Sequence, residues 1–224
     1  MIDKVISKKE NGKLEKGIFV EIIIRNAIRI KNLHLVKNLT YKPHIGKNYG
    51  NSKLGKLLII GDSHYFNNGL PNNLSDFTVE KIKELRIISA RFYDKVDAVL
   101  NQGYKHYIWD KIAFANAIQT PFSSADQKPT KEDLDVAKLA FQEYLDMTKP
   151  EKVIVFSSRV WEHCFNDKIN VWGKHLDKID DRWNIRELDY EGGTCKAIGL
   201  HHPSTPGFDI AKFQNIVAQF LNTY

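Results

Sequence analysis

The chain has 224 residues, 42% of them hydrophobic and 27% charged, which is enough to bury the core of one α/β domain. Its only cysteines, Cys164 and Cys195, have no CxxC spacing, which excludes a disulfide framework and a cysteine-built metal or iron–sulfur site. A formal net charge of +6 favours a polyanionic partner such as nucleic acid. No uncharged run approaches the ~20 residues of a membrane span, and no secretory signal is recognisable, so we expect a cytoplasmic protein.

The first part of the chain predicts an extension followed by a central strand. Residues 1–40 fit a helix face and a strand equally well, and we treat them as an N-terminal extension to one α/β domain over residues 41–224. The aliphatic run 57–60 predicts a strand that is buried on both faces and stops at a tight turn that Gly61 permits. Polar and aromatic residues follow at once, namely Asp62, Ser63, His64, Tyr65 and Phe66.

Helices and strands alternate through the rest of the chain. The spacing of apolar residues predicts a helix over 78–100, a strand over 107–116, and a helix that Thr130 caps and Pro150 ends. A strand over 153–156 precedes another helix, and residues 166–193 are expected to be an irregular charged insertion. A strand over 197–200 and a C-terminal amphipathic helix complete the pattern. This alternation predicts a three-layer α/β/α fold with a four-stranded parallel sheet.

The predicted strands carry polar residues at their carboxyl ends, which share one edge of a parallel sheet. Asp62 follows the first strand, Asn116 ends the second, Ser157 and Ser158 follow the third, and His202 follows the fourth. Cleavage of an N-glycosidic bond uses such a set. A carboxylate stabilises the oxocarbenium-like sugar and orients water, an imidazole donates a hydrogen bond to the departing base, and an amide reads the base edge.

The residues of these motifs and their order along the chain resemble those of the uracil-DNA glycosylase superfamily. The sequence GDSHY over 61–65 resembles its first motif, and the His-Pro-Ser sequence over 202–204 resembles its closing motif. Between them, residues 115–119, 129–130 and 150–156 resemble the iron–sulfur-type branch, although the cluster cysteines are missing. The resemblance covers residues 57–224. It implies a four-stranded parallel sheet flanked by helices and excision of a flipped-out uracil or other modified base without a metal or other cofactor.

The resemblance also implies roles for individual residues. Asp62 would orient the attacking water, and His202 would stabilise the leaving base. The residues implied to bind the base are Asn116, Tyr65, Phe66, Ser63 and His64. The residues implied to contact DNA are Ser204 at a phosphate, Phe208 as a wedge in the base stack, Pro203 and His201. We expect a monomer that acts on single- or double-stranded DNA.

Three departures separate this chain from the family pattern. His64 stands where the first motif normally has Pro, and Ser63 stands where the uracil-specific branch has its acid. Thr205 replaces the second Pro after the closing motif. Uracil as the substrate therefore does not follow from the resemblance.

Other functions fit the same residues. A protein with this altered first motif could bind nucleic acid without cutting it. The Gly-Asp-Ser sequence over 61–63 also resembles the GDS-type esterases, with Ser63 as nucleophile and Asn116 in an oxyanion hole. That family has an orienting acid three residues before its catalytic His, where this chain has Ile198 and Gly199. A metal site through the histidines at 64, 201 and 202 fits no standard ligand spacing.

Overall fold

The structure is a computed structural model, and it describes residues 39–224 except 68, 86, 88, 102–106, 125 and 167–171. The predicted N-terminal extension, residues 1–40, lies outside the described residues apart from Leu39 and Thr40. The strands are β1 (His44–Ile45), β2 (Leu57–Gly61), β3 (Ala113–Asn116), β4 (Lys152–Val155), β5 (Lys174–Ile179), β6 (Trp183–Tyr190) and β7 (Gly193–Gly199). The α-helices are α1 (Phe77–Glu84), α2 (Arg91–Asn101), α3 (Lys131–Thr148), α4 (Ser158–Phe165) and α5 (Ile210–Thr223).

The strands form one seven-stranded mixed sheet in the order β1-β3-β2-β4-β7-β6-β5. The four neighbours β3, β2, β4 and β7 are parallel, and the register places Gly61 opposite Asn116. Strands β1, β5 and β6 are antiparallel to their neighbours. The predicted α/β class is confirmed, whereas the predicted four-stranded parallel sheet is not matched, because the sheet has seven strands of mixed direction.

The additional strands β5 and β6 form a hairpin from residues that the sequence pattern suggested were irregular. Asp180 and Asp181 both have a φ of 52°, and the Arg182 N–H donates to the Ile179 carbonyl at 3.2 Å. Two left-handed residues at the centre of this turn match the twist of the flanking strands. Strand β5 is mostly exposed and charged, as suits the edge of a sheet, and these charges obscure its strand character in the sequence.

Alternate residues of the central strands pack against helices on opposite faces of the sheet. Leu57 and Ile59 join one buried cluster with residues of α1, α2 and α5. Leu58 and Ile60 join a second cluster with residues of α3 and α4. All four side chains are fully buried, as the uninterrupted aliphatic run predicts. The domain therefore has three layers, with the sheet in the middle.

Two predicted elements are interrupted. The single helix expected over 78–100 is two helices, α1 and α2, and Ile87 between them is 90% exposed. The Ser89 hydroxyl donates to the Asp94 carboxylate, a side-chain bond between the segment that separates the helices and the first turn of α2. The strand expected over 107–116 is confined to Ala113–Asn116, because a 3₁₀-helix occupies Ile108–Asp110.

The long helix α3 has the predicted boundaries. The Thr130 hydroxyl accepts from the Asp133 N–H, and the Asp133 carboxylate accepts from the Thr130 N–H, which completes a capping box. The helix ends at Thr148, and Lys149 adopts a left-handed conformation just before Pro150. Among the residues that the structure describes, no helix has both the length and the apolar character needed to cross a membrane.

Candidate active site

A cavity of about 430 Å³ opens at the carboxyl ends of the parallel strands β2, β4 and β7. The residues that line it are Asp62, Tyr65, Ser157, Ser158, Arg159, His202, Ser204 and Thr205. In an open α/β sheet, this edge is where ligands bind. The structure thus brings the first motif and the closing motif together, although Asp62 and His202 are far apart along the chain.

Asp62 lines this cavity and is only 5% exposed. Its Oδ1 accepts from Arg159 Nη2 at 2.5 Å and from the Ser63 hydroxyl at 3.0 Å. Its Oδ2 accepts from Arg159 Nε at 2.8 Å and from the Ser157 hydroxyl at 2.6 Å. The carboxylate is therefore held by a bidentate guanidinium and two hydroxyls, so its position is strongly fixed.

Arg159 is the main functional residue that sequence reasoning missed. Ser157 caps helix α4 by accepting from the Val160 N–H at 3.2 Å, which places Arg159 in the first turn of that helix. A cation in this turn opposes the helix dipole, and a nearby carboxylate offsets this unfavourable interaction. This unfavourable position, directly after the polar end of β4, is the signal that could have identified Arg159.

His202 also lines the cavity, and the protons of its ring have a defined arrangement. Its Nδ1 accepts from the Ser204 N–H at 3.1 Å, so the neutral ring carries its proton at Nε2. Burial lowers the pKa of His202, and although Asp62 raises this pKa, Arg159 and Lys95 lower it further. At neutral pH, His202 is consequently an uncharged hydrogen-bond donor.

The loop that follows His202 is anchored at several points. The Thr205 N–H donates to the His202 carbonyl at 2.9 Å, and Lys95 Nζ donates to the Pro203 carbonyl at 2.7 Å. Phe208 stacks on Phe213 of helix α5 with a centroid separation of 4.4 Å, and Lys95 Nζ lies 5.3 Å from its ring centroid. Phe208, predicted as a wedge, therefore packs against α5 outside the cavity lining.

His64 and Asn116 form a buried pair behind the cavity. Asn116 Nδ2 donates to His64 Nδ1 at 3.2 Å, and His64 Nε2 donates to the Thr78 hydroxyl at 2.9 Å. Burial lowers the pKa of His64 to about 3, so the ring is neutral. Neither residue is among those that line the cavity. In this structure their side chains bond to each other behind the cavity lining.

Phe66 is also held away from the cavity. It is 7% exposed, and its ring packs against Phe77 at a centroid separation of 4.7 Å. Tyr65, by contrast, lines the cavity, and its ring stacks near Phe122 at 6.3 Å with an interplanar angle of 27°. Of the two predicted aromatic contacts, only Tyr65 is placed to meet a ligand.

His201 lies beside the cavity and supports one of its walls. Its Nε2 is 3.3 Å from Arg182 Nη2, which can only donate, so the proton of neutral His201 is at Nδ1 and donates to the Ser158 hydroxyl at 3.0 Å. Burial lowers the pKa of His201, and Arg182 and Lys212 lower it further. His201 therefore positions Ser158 and cannot take its proton in this arrangement.

The structure does not pair the Ser63 hydroxyl with the histidine general base that an esterase needs. The Ser63 hydroxyl donates to Asp62, and both ring nitrogens of the adjacent His64 are engaged by Asn116 and Thr78. Asn116 is buried and does not line the cavity that an ester would enter. Within the described part of the chain, no group of three or more His, Cys, Asp or Glu side chains is arranged to hold a metal ion.

Neither a protein-family model nor a curated protein matches this chain. The arrangement of groups around the cavity, together with the resemblance of its motifs, is therefore the basis for assigning a function.

Proposed function

We propose that this protein hydrolyses the N-glycosidic bond of a flipped-out uracil or other modified base in DNA, in a fold of the uracil-DNA glycosylase type. One observation carries the proposal: Asp62 and a neutral His202 line the same cavity, which Tyr65 also lines. A cavity of about 430 Å³ is within the usual size range for a small-molecule site.

The two groups match the charges that develop as the bond breaks. The C1′–N bond cleaves with both electrons moving to the base, which leaves positive character on the sugar. The Asp62 carboxylate stabilises that charge and orients a water molecule, whose oxygen bonds to C1′ and whose proton is released. The His202 Nε2–H donates to the base oxygen that becomes anionic, and the base then takes up a proton from solvent.

The surrounding groups fit the same reaction. The Tyr65 ring offers a face on which a flipped base can stack, and the ring itself lies nearly parallel to that of Phe122. Ser204 is exposed at the cavity, where its hydroxyl can contact a backbone phosphate. The parallel arrangement of β3, β2, β4 and β7 fits the four-stranded sheet of that superfamily, with β1, β5 and β6 as additions.

The test is base release from oligonucleotides. Single- and double-stranded substrates containing uracil, hypoxanthine, xanthine or modified cytosines are incubated with the protein, and abasic sites are scored by alkaline cleavage. Asp62→Asn and His202→Ala should each lower the rate roughly 10²- to 10³-fold, the usual effect of removing one transition-state contact. His175→Ala, at the exposed edge strand β5, serves as the matched control and should retain full activity.

A second candidate function follows from the bonding of Asp62. The Asp62 carboxylate already accepts four hydrogen bonds from protein donors, so it has no open position for a water molecule. This arrangement favours a protein that binds DNA without cutting it. Such a protein would release no base from any substrate in the panel. It would still bind the oligonucleotides, with an affinity that falls steeply as salt rises.

A further inference from the structure

The Asp62 carboxylate has its acceptor sites filled by protein donors. An ionised carboxylate has about four lone-pair positions, and four donors from Arg159, Ser63 and Ser157 occupy them here. Two of those donors belong to Arg159, whose side chain is 38% exposed, whereas that of Asp62 is 5% exposed. Arg159 is therefore the partner that can leave, and its departure would free one acceptor site on each oxygen.

Arg159 also has the surroundings of a phosphate-binding residue. Hydroxyls of Ser158, Ser204 and Thr205 line the same cavity. Since the Ser158 oxygen accepts from His201, its own hydrogen remains to be donated to a ligand. A planar guanidinium matches phosphate in a bidentate manner, as it matches a carboxylate, and hydroxyls supply further donors.

We propose that Arg159 binds a phosphate group of the substrate and thereby uncovers Asp62. The inference rests on the proposed function and adds to it a requirement for a phosphate-bearing substrate. The guanidinium exchanges one anion for another, so it is never left without a partner. Asp62 keeps the hydroxyl donors of Ser63 and Ser157, which hold it in place while the two vacated sites accept from water.

This exchange would make the site selective for substrates that carry a phosphate group. A nucleoside without phosphate cannot displace Arg159, so Asp62 stays covered even when a correct base enters the cavity. An oligonucleotide or a nucleotide carries the displacing group itself. The same ion pair would protect the buried Asp62 charge in the empty site, where an uncompensated carboxylate is costly.

The first experiment follows the Arg159 Nε–H signal by NMR, assigned by its loss in Arg159→Lys. Inorganic phosphate is titrated at constant ionic strength, and then a short oligonucleotide containing a stable abasic analogue. We expect a saturable shift of this signal. Phosphate affinity is measured for every variant by isothermal titration calorimetry, since variants at Arg159 lack the NMR signal. Because Asp62 and phosphate compete for one guanidinium, Asp62→Asn should tighten phosphate binding by roughly tenfold or more, and Arg159→Gln should weaken it by a similar factor.

Arg91→Gln is the matched control, because Arg91 is an exposed cation at the first position of α2 and does not line the cavity. It should leave phosphate binding unchanged. A shift with the oligonucleotide alone assigns the phosphate to the nucleic-acid backbone, and a shift with both ligands shows that free phosphate also suffices. No shift with either ligand, or equal phosphate affinity in wild type and Arg159→Gln, overturns the proposal.

Activity measurements separate this proposal from the proposed function. Arg159→Gln should lower kcat/KM on the cleaved oligonucleotide roughly 10- to 100-fold and raise the rate on the corresponding free nucleoside. If no base is ever released but the Arg159 signal responds to phosphate, the glycosylase function fails and the phosphate site stands. If base is released equally by wild type and Arg159→Gln, the phosphate site fails and the function stands.

A folding defect in Arg159→Gln is foreseeable, because the variant leaves Asp62 buried without its cation. The double variant Asp62→Asn/Arg159→Gln removes both charges and provides the second comparison. It should bind inorganic phosphate at least about tenfold more weakly than Asp62→Asn alone, and equal binding by these two proteins would overturn the proposal.

Discussion

A Cβ atom placed on Gly61 would overlap with Asn116 Oδ1. The two residues are register partners on β2 and β3, so the amide fills the space that a side chain at position 61 would need. Gly61 does not have a positive φ, which means that its conformation does not itself demand glycine. The sequence interpretation of Gly61 as a turn residue is therefore wrong, and the reason for glycine is the close approach of Asn116.

The substitution Gly61→Ala should consequently destabilise the protein by about 1–3 kcal/mol, the usual cost of overpacking a core. The measurement is the free energy of unfolding in urea. In the double variant Gly61→Ala/Asn116→Ala, the clashing oxygen is absent, so the combined destabilisation should be smaller than the sum of the two single effects. Strictly additive effects would show that the clash is not the cause.

His64 makes stability dependent on pH. Its pKa is lowered to about 3 in the folded protein, mainly by burial and further by Lys81, against 6.5 for an ordinary histidine. As pH falls below 6.5, the unfolded chain takes up a proton at this residue while the folded chain does not. The contribution of neutral His64 is thus fully present above pH 6.5 and is lost as pH falls from there toward 3, by ~1.4 kcal/mol per pH unit.

The comparison protein for this prediction is His64→Gln, which should lose part of the wild-type slope of unfolding free energy against pH between 6.5 and 4. His175→Gln removes an exposed histidine instead and should keep the wild-type slope. Equal slopes in wild type and His64→Gln would show that the buried imidazole is not responsible.

Local patterns in the sequence account for much of the fold. The uninterrupted aliphatic run 57–60 predicts a strand covered on both faces, and Thr130 with Asp133 predicts the start of α3. These features depend on residues that are close in sequence, where periodicity and capping chemistry operate. The hairpin of β5 and β6 was missed because its edge strand is charged and its turn contains two aspartates instead of glycine.

The candidate site was predicted only in part, because its decisive contacts join distant residues. Arg159 and Asp62 are 97 positions apart, and no local pattern indicates that they pair. His64 and Asn116 have the residue types of a binding site, yet their side chains bond to each other and to Thr78 behind the cavity. The strand ends could be deduced from the sequence, whereas the side-chain partners depend on three-dimensional packing.

We expect Lys95 to position the loop that follows His202. Its ammonium group donates to the Pro203 carbonyl at 2.7 Å and lies over the Phe208 ring. Lys95→Met keeps the length of the side chain but removes both interactions, so it should raise KM for oligonucleotides several-fold and leave the unfolding free energy within ~1 kcal/mol of wild type. Lys95→Arg, which retains a cation and donors, should recover most of the affinity. Unchanged kinetics in Lys95→Met would contradict this role.

The excess positive charge of the chain lies mainly in residues 1–38, which contain nine Lys and Arg against four Asp and Glu. Residues 39–224 are nearly balanced, with 24 basic and 23 acidic residues. If DNA is the partner, we expect the first segment to supply much of the salt-dependent affinity. Replacing four of its lysines with neutral residues should make the plot of log K against log salt less steep. On duplex DNA, the slope should decrease in magnitude by up to ~0.9 for each phosphate that this segment no longer contacts.

The test variant replaces four lysines of this segment with glutamine, namely Lys4, Lys8, Lys9 and Lys13. The matched control replaces four lysines that pair with carboxylates in the domain, namely Lys42, Lys47, Lys81 and Lys83. Fluorescence anisotropy over a range of salt concentrations measures the slope for each protein. Since both variants remove the same charge, a smaller slope in the test variant alone assigns the phosphate-binding lysines to residues 1–38. An equally reduced slope in both variants would instead indicate an effect of net charge, without direct phosphate binding by that segment.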